Sequence, residues 1–236
     1  MIIATWSGPR NISTALMRSW SSRSDTFVTD EPFYAYYLNE TNLKHPMHIE
    51  IINKYSTNYN QIIDYLTSEI PESKKIWYQK HMAHHILDLD NIEWITNFEN
   101  CILLRDPKEV ISSYSSKNEL NSIDELGYRQ QYEIVKFLRR KNKPYMIIDS
   151  SEILKNPAKV LFAWCKKINI KYDQSMLKWE KGNHVNDGIW WKSWYDNVIK
   201  TTTFRKYKKK DINIENKYDS IYNESMKLYN YLKELK

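Results

Sequence analysis

Short, nearly unbroken apolar runs recur at residues 2–6, 26–29, 76–80, 101–104 and 145–148, and each predicts a strand. Runs without in-and-out alternation suit strands that are covered on both faces. Between them apolar residues repeat at spacings of three and four. That pattern predicts helices over 11–23, about 49–70, 108–116, 123–141, 157–168 and from about 216 onward. Alternating strands and helices predict an α/β fold with three α/β/α layers around a central parallel sheet, and ligands at the C-terminal strand ends. Residues 179–203 are rich in Trp and Asn, with turn signals at Gly182 and Gly188, and read as an ordered covering loop. The 236 residues carry no repeat or low-complexity tract and are expected to form one domain, 1–236.

The first strand runs straight into Gly8-Pro9-Arg10-Asn11-Ile12-Ser13-Thr14, a tight polar turn followed by a helix start. A helix N-terminus behind such a loop aims N–H groups and partial positive charge at an anion. Ser13 and Thr14 add hydroxyls, and Arg10 adds a permanent cation. Counted from Gly8, Ser13 stands where a Walker A loop has its second Gly, and Thr14 where it has Lys. The segment is therefore a phosphate cradle but a poor triphosphate loop. That weakens the alternative of a P-loop small-molecule kinase.

Composition narrows this only slightly. Hydrophobic residues make up 42% of the chain, enough for a sizeable core. The net charge of +6 suits an anionic ligand and equally nucleic acid, so it does not choose between them. The densest basic run, Arg205-Lys206-Tyr207-Lys208-Lys209-Lys210, reads as solvated surface, with a reach toward a ligand phosphate as the alternative. A non-catalytic nucleotide-binding or nucleic-acid-binding module using that run is a rival of a different class, and nucleic acid is the less expected partner. Cys101 and Cys165 lie in apolar stretches outside any C-x-x-C pair, so buried reduced thiols are expected. No apolar run approaches the ~20 residues of a membrane span, and a cytoplasmic protein without membrane contact is expected.

A second segment carries chemistry: Arg105-Asp106-Pro107-Lys108-Glu109-Val110-Ile111-Ser112-Ser113. A strand ends at Arg105, Pro107 suits a first helical turn, and Ser113 falls on that helix. Arg105 and Ser113 can then converge on one side of the sheet. Taken alone, Arg-Asp-Pro reads as a local ion pair and a helix start. Taken with the first loop, it resembles the cytosolic and bacterial sulfotransferase superfamily, whose donor is 3′-phosphoadenosine 5′-phosphosulfate. That family has a P-[KR]-[SG]-x-[ST]-T loop and an R-[DN]-P-x-[DE]-x-x-x-S segment. Residues 146–157 also resemble its strand followed by an E-x-L-x-x-P element. Trp6 to Arg10 followed by Asp30-Glu31-Pro32-Phe33-Tyr34 resembles a little-characterised bacterial branch. Two features depart from the family pattern: Asn11 replaces a small residue, and the C-terminal R-K-G signature is read as absent.

The resemblance implies a P-loop nucleoside triphosphate hydrolase-like fold and a metal-free transfer to an unknown small-molecule acceptor. It implies that Pro9, Arg10, Asn11, Ile12, Ser13 and Thr14 hold the 5′-phosphosulfate, with Arg10 as the catalytic cation, and that Arg105 and Ser113 hold the 3′-phosphate. Transfer also needs a base near the acceptor. Glu31, just after the second strand, and His81, at the end of the third, are the two candidates, and Lys80 is read as assisting the donor. The bland readings are a turn cap for Glu31 and a hydrogen-bonded strand-end histidine for His81. His81, His84 and His85 have helical metal-ligand spacing, but no Cys or paired carboxylates complete a set, so no metal is expected. Trp179, Trp190, Trp191, Trp194 and Tyr195, together with Tyr34, Tyr36 and Tyr37, either stack on ligands or seal the core. Tyr128, Arg129 and Tyr132 are expected beside the site.

Overall fold

Five parallel strands form one sheet in the computed structural model, which describes residues 1–209 and 211–236. They are β1 (Ile2–Ser7), β2 (Thr26–Asp30), β3 (Ile76–Met82), β4 (Glu99–Leu104) and β5 (Tyr145–Asp149), in the order β2-β3-β1-β4-β5. Every apolar run predicted as a strand is one. β1 is central, in register with β3 through Trp6 opposite His81 and with β4 through Trp6 opposite Ile102. The chain thus moves outward from β1 in both directions, which leaves a crevice at the C-terminal ends of the middle strands.

Adjacent strand residues point to opposite faces, and both faces are buried. On one face Ile3, Tyr78, Leu103 and Ile148 pack against α1 (Ser13–Ser21), through Leu16, Met17 and Trp20. Two further helices complete this layer: α7 (Ser150–Lys155) through Ile153, and α8 (Pro157–Lys167) through Leu161 and Trp164. On the other face Ala4, Trp6, Trp77, Ile102 and Ile147 meet α4 (Tyr59–Leu66), α5 (Pro107–Ser115), α6 (Tyr128–Arg140) and α10 (Asp219–Glu234). The result is the expected three-layer α/β/α arrangement.

A smaller third core lies among α2 (Tyr34–Thr41), α3 (His48–Lys54) and α9 (Trp191–Trp194), built from Tyr34, Tyr37, Ile51, Trp190 and Tyr195. Here the structure departs from the predicted helices. The stretch read as one helix over 49–70 is two, α3 and α4, because Asn58 starts a new one by accepting from the Gln61 N–H at 3.0 Å. Over 123–141, a 3-10 turn at Ile123–Leu126 precedes α6, and Gly127 turns between them at φ 76°. Residues 179–203 are ordered, as expected. Arg18 of α1 anchors them through Asp187 at 2.5 Å and the Gly182 carbonyl at 3.3 Å.

Candidate active site

A cleft of about 750 Å³ opens at the C-terminal edge of the sheet. The Ser7-to-Asn11 turn forms its floor. Gly8 lies so close to the next element that a Cβ there would stand 2.3 Å from the Leu126 carbonyl oxygen, so the turn tolerates no side chain. Asn11 ties the turn down. Its Nδ2 donates to the Leu103 carbonyl at 3.0 Å, and its Oδ1 accepts from the Ile12 N–H at 2.8 Å. Gln131 of α6 bridges the same strand ends through the Trp6 and Leu103 carbonyls. Helix α1 starts at Ser13 with no side-chain cap, so the first-turn N–H groups are left for a ligand.

The two sequence segments meet here. Arg10 Nε donates to Ser113 Oγ at 3.0 Å across 103 residues of chain. Arg105 donates through Nη1 to the Arg10 carbonyl, and it pairs with Glu109 at 2.9 Å. Asp106 caps α5 by accepting from the Lys108 N–H at 2.8 Å, which sets Pro107 in the first turn and Ser113 facing Arg10. Arg10 sits at φ 54°, an uncommon conformation for a bulky side chain. Partial burial, and then the nearby Arg105, hold its guanidinium below the usual value. Two crowded cations are relieved by a bound anion. Pro9, Ile12, Ser13 and Thr14 line the same wall.

Glu31 also lines the cleft, at φ 43°. Its N–H bonds the Lys80 carbonyl at 2.9 Å, which joins the end of β2 to β3. Its Oε1 accepts from Lys80 Nζ at 2.5 Å, while Asp30 and the Tyr195 hydroxyl take the other two ammonium protons at 2.8 Å each. Tyr195 in turn donates to Asp30 at 2.6 Å, and the Gly188 N–H reaches Asp30 at 3.0 Å. Burial pushes the Glu31 carboxyl up, against the downward pull of Lys80, and the two carboxylates hold the Lys80 ammonium up. All three Lys80 donors are therefore engaged inside the protein, which leaves none for a donor phosphate.

His81 is not in the cleft. Adjacent residues of a strand face opposite ways, so with Lys80 turned to Asp30, His81 points into the other layer. It stacks on Trp6 at 4.3 Å beside Phe33 and Trp94 and is 1% exposed. Its Nε2–H donates to Gln79 Oε1 at 3.2 Å, and burial pushes its pKa down to about 3. His84 and His85 do line the cleft. Among the described residues no group of three or more His, Cys, Asp or Glu has metal-holding geometry.

Of the aromatic residues, Tyr34, Trp194 and Tyr195 line the cleft, whereas Trp179, Trp190, Tyr36 and Tyr37 are packed behind it. Tyr128 holds the Arg105 carbonyl at 2.8 Å from the core side. Arg129 pairs with Asp124 and Glu224 on the surface, and Tyr132 meets Tyr231, so neither flanks the cleft as expected. The basic run is solvent-exposed, as read, and it also reaches the cleft, which was the alternative reading. Arg205, Lys206 and Lys208 are exposed and also line the cleft, while Lys210 lies outside the described residues. The signal was present, because Arg205-Lys206 keeps the first two residues of the R-K-G signature with Tyr207 in place of its Gly. Cys101 and Cys165 are buried free thiols, and burial pushes both up. No helix among the described residues is long and apolar enough to cross a membrane.

Fold and cleft together define an α/β protein with a cleft at its C-terminal sheet edge that Arg10 and Arg105 line. The chain belongs to the sulfotransferase domain family, which matches residues 1–235. It is 32% identical over 233 residues to the branched-chain-amino-acid aminotransferase-like protein 1 of Arabidopsis thaliana, and 31% identical to protein 2. The chain spans 41% of the length of each of these curated relatives, whose names describe the longer proteins. Its fold resembles the sulfotransferase domain of the Synechococcus PCC 7002 olefin synthase, with a TM-score of 0.63 and 16% identity over 98% of this chain and 94% of that one. The sulfotransferase domain of the curacin biosynthetic pathway aligns with a TM-score of 0.57 and 16% identity, covering 98% and 97% of the two chains.

Proposed function

We propose that the cleft transfers a sulfuryl group from 3′-phosphoadenosine 5′-phosphosulfate to a hydroxyl or amine of a small-molecule acceptor. The observation that carries this reading is the contact of Arg10 with Ser113. It brings the loop read for the 5′-phosphosulfate and the segment read for the 3′-phosphate to one cleft. In this reading Ser13, Thr14 and the first N–H groups of α1 hold the 5′ end. Arg105 keeps guanidinium protons beyond those given to Glu109 and Arg10, and it holds the 3′-phosphate with Ser113. Arg205, Lys206 and Lys208 add charge to that end. Asn11 serves by shaping the turn, since both ends of its amide are occupied by the protein.

Charge grows on the oxygen that bridges phosphorus and sulfur as the donor S–O bond breaks. A cation fixed beside it lowers the barrier, and Arg10 is that cation. Glu31 is the base, because it lines the cleft with its Oε1 held by Lys80. Its raised pKa suits a proton acceptor. His81 is set aside for its burial in the opposite layer. The buried, unpaired thiols fit a reducing cytoplasm.

Calorimetric titration tests the reading. Adenosine 3′,5′-bisphosphate is expected to bind without Mg²⁺, and Mg²⁺-ATP weakly or not at all. Tight Mg²⁺-dependent ATP binding, with none of the bisphosphate, would favour a kinase instead.

A further inference from the structure

Behind Glu31 lies a buried charged cluster assembled from three separate parts of the chain. β2 ends in Asp30, β3 supplies Lys80, and the covering segment brings in Tyr195. The Lys80 and Asp30 side chains are each 1% exposed. The Tyr195 hydroxyl is saturated. It accepts from Lys80 Nζ at 2.8 Å and from Trp190 Nε1 at 3.2 Å, and it donates its one proton to Asp30 at 2.6 Å. Asp30 therefore receives three donors: Lys80, Tyr195 and the Gly188 N–H. Two of the three come from the covering segment. Gly188 fits there only without a side chain, since a Cβ would stand 2.1 Å from the Trp190 ring. Its neighbour Asp187 pins the segment to the buried Arg18 of α1.

The cluster sets two carboxylates against one ammonium, so it carries one net negative charge when both are ionised. Three donors replace water around Asp30, whereas Glu31 takes one of the Lys80 protons. A proton that reaches the pair therefore settles on Glu31, and the cluster becomes neutral. Tyr34 on α2 and His85 after β3 stand near enough to feel Glu31 and Lys80, and burial holds both uncharged. The Asp187 charge is matched by Arg18.

We infer that Tyr195 and Asp30 are positioning residues for Glu31, acting through Lys80 to fix its carboxylate and to keep the incoming proton on Glu31 rather than on Asp30. The inference rests on the reading of Glu31 as the base in sulfuryl transfer. In that step the acceptor atom forms a bond to sulfur as the bond from sulfur to the donor's 5′-phosphate oxygen breaks. That oxygen keeps the electron pair, the acceptor's proton passes to Glu31, and nothing is oxidised or reduced. The base is thus complete only when the covering segment is seated. Without it Asp30 loses two of its three donors and competes for the proton.

A carbon-13 titration of the carboxyl groups in the full chain tests this without any acceptor. The Glu31 and Asp30 signals are those missing from Glu31→Gln and Asp30→Asn. Tyr195→Phe keeps the ring, which lies 5.0 Å from Lys80 Nζ, and removes the hydroxyl. The Asp30 midpoint should then rise by about one pH unit or more, and the Glu31 midpoint should fall as Lys80 turns to it. Asp30→Asn leaves Lys80 to Glu31 alone and should lower the Glu31 midpoint by about one unit or more. A role in packing alone would move neither midpoint. A Glu31 midpoint that either variant leaves in place overturns the inference, and each variant decides alone if the other fails to fold. Full turnover in Glu31→Gln would strike the base reading instead, and the midpoints then judge the cluster separately.

Discussion

Lowering the pH from 7.5 to 5.5 should destabilise this protein through three buried imidazoles. His81, His84 and His85 are 1%, 7% and 3% exposed, and the Nδ1 of each is buried without a partner. Burial pushes His81 and His84 down to about 3 and His85 well below its ordinary 6.5. The folded values lie below the unfolded one, so the unfolded chain binds protons first. The stability these groups carry is present above pH 6.5 and is lost as pH falls toward 3. At pH 5.5, one unit below the unfolded value, each costs about 1.4 kcal/mol, or about 4 kcal/mol for the three. That is a large share of the roughly 5–15 kcal/mol of a typical domain. Glu31, whose carboxyl is raised, works in the opposite sense, so a difference measurement isolates the histidines. Urea unfolding of the wild type and of His81→Phe at both pH values supplies it. The wild type should lose stability, and the pH-dependent part should shrink by about one third in His81→Phe. A wild-type stability flat between the two pH values, or a loss that His81→Phe leaves unchanged, would refute the neutral-burial argument.

Three further outcomes follow from the site. Glu31→Gln should lower kcat by roughly 10²–10⁴ while bisphosphate affinity holds, whereas His81→Phe should keep turnover in the folded fraction; the reverse pattern would exchange their roles. Ser113→Ala removes one phosphate donor and frees Arg10 Nε, and should weaken bisphosphate binding roughly tenfold in calorimetry, with no change sinking the 3′-phosphate assignment. Gly8→Ala drives a methyl into the Leu126 carbonyl, and should cost about 1–3 kcal/mol in urea unfolding and weaken the bisphosphate as the turn shifts.

The sheet was legible because its strands are covered on both faces, which leaves continuous apolar runs that little else in the chain imitates. Helix boundaries were less so. Isoleucines on both sides of Ser56-Thr57-Asn58 sustain a helical period across a real break, and only the capping Asn58 marks it. Helix α2 went unseen because Phe33, at its start, makes no side-chain cap and its tyrosines read as pocket lining. At the site, the loop was readable as a phosphate cradle from spacing, whereas the Arg105 segment gained its reading only beside that loop, through the family resemblance. That Lys80 and His81, as strand neighbours, cannot both face the cleft was also readable, but the sequence left Glu31 and His81 open as candidates and did not say which strand face meets the cleft. The wall of Tyr34, His45, His85 and Trp194 was not readable, because it joins four separate segments through contacts that no local pattern encodes.

The central claim is that residues 9–14, with Arg105 and Ser113, hold the two phosphate ends of one donor. A crystal structure with adenosine 3′,5′-bisphosphate tests it most directly. The account predicts the 3′-phosphate within hydrogen-bonding distance of Arg105 and Ser113, and the 5′-phosphate on Ser13, Thr14 and the N-terminus of α1 beside Arg10. A nucleotide bound away from this cleft, or with its phosphates against the Tyr34–Trp194 wall, would contradict it.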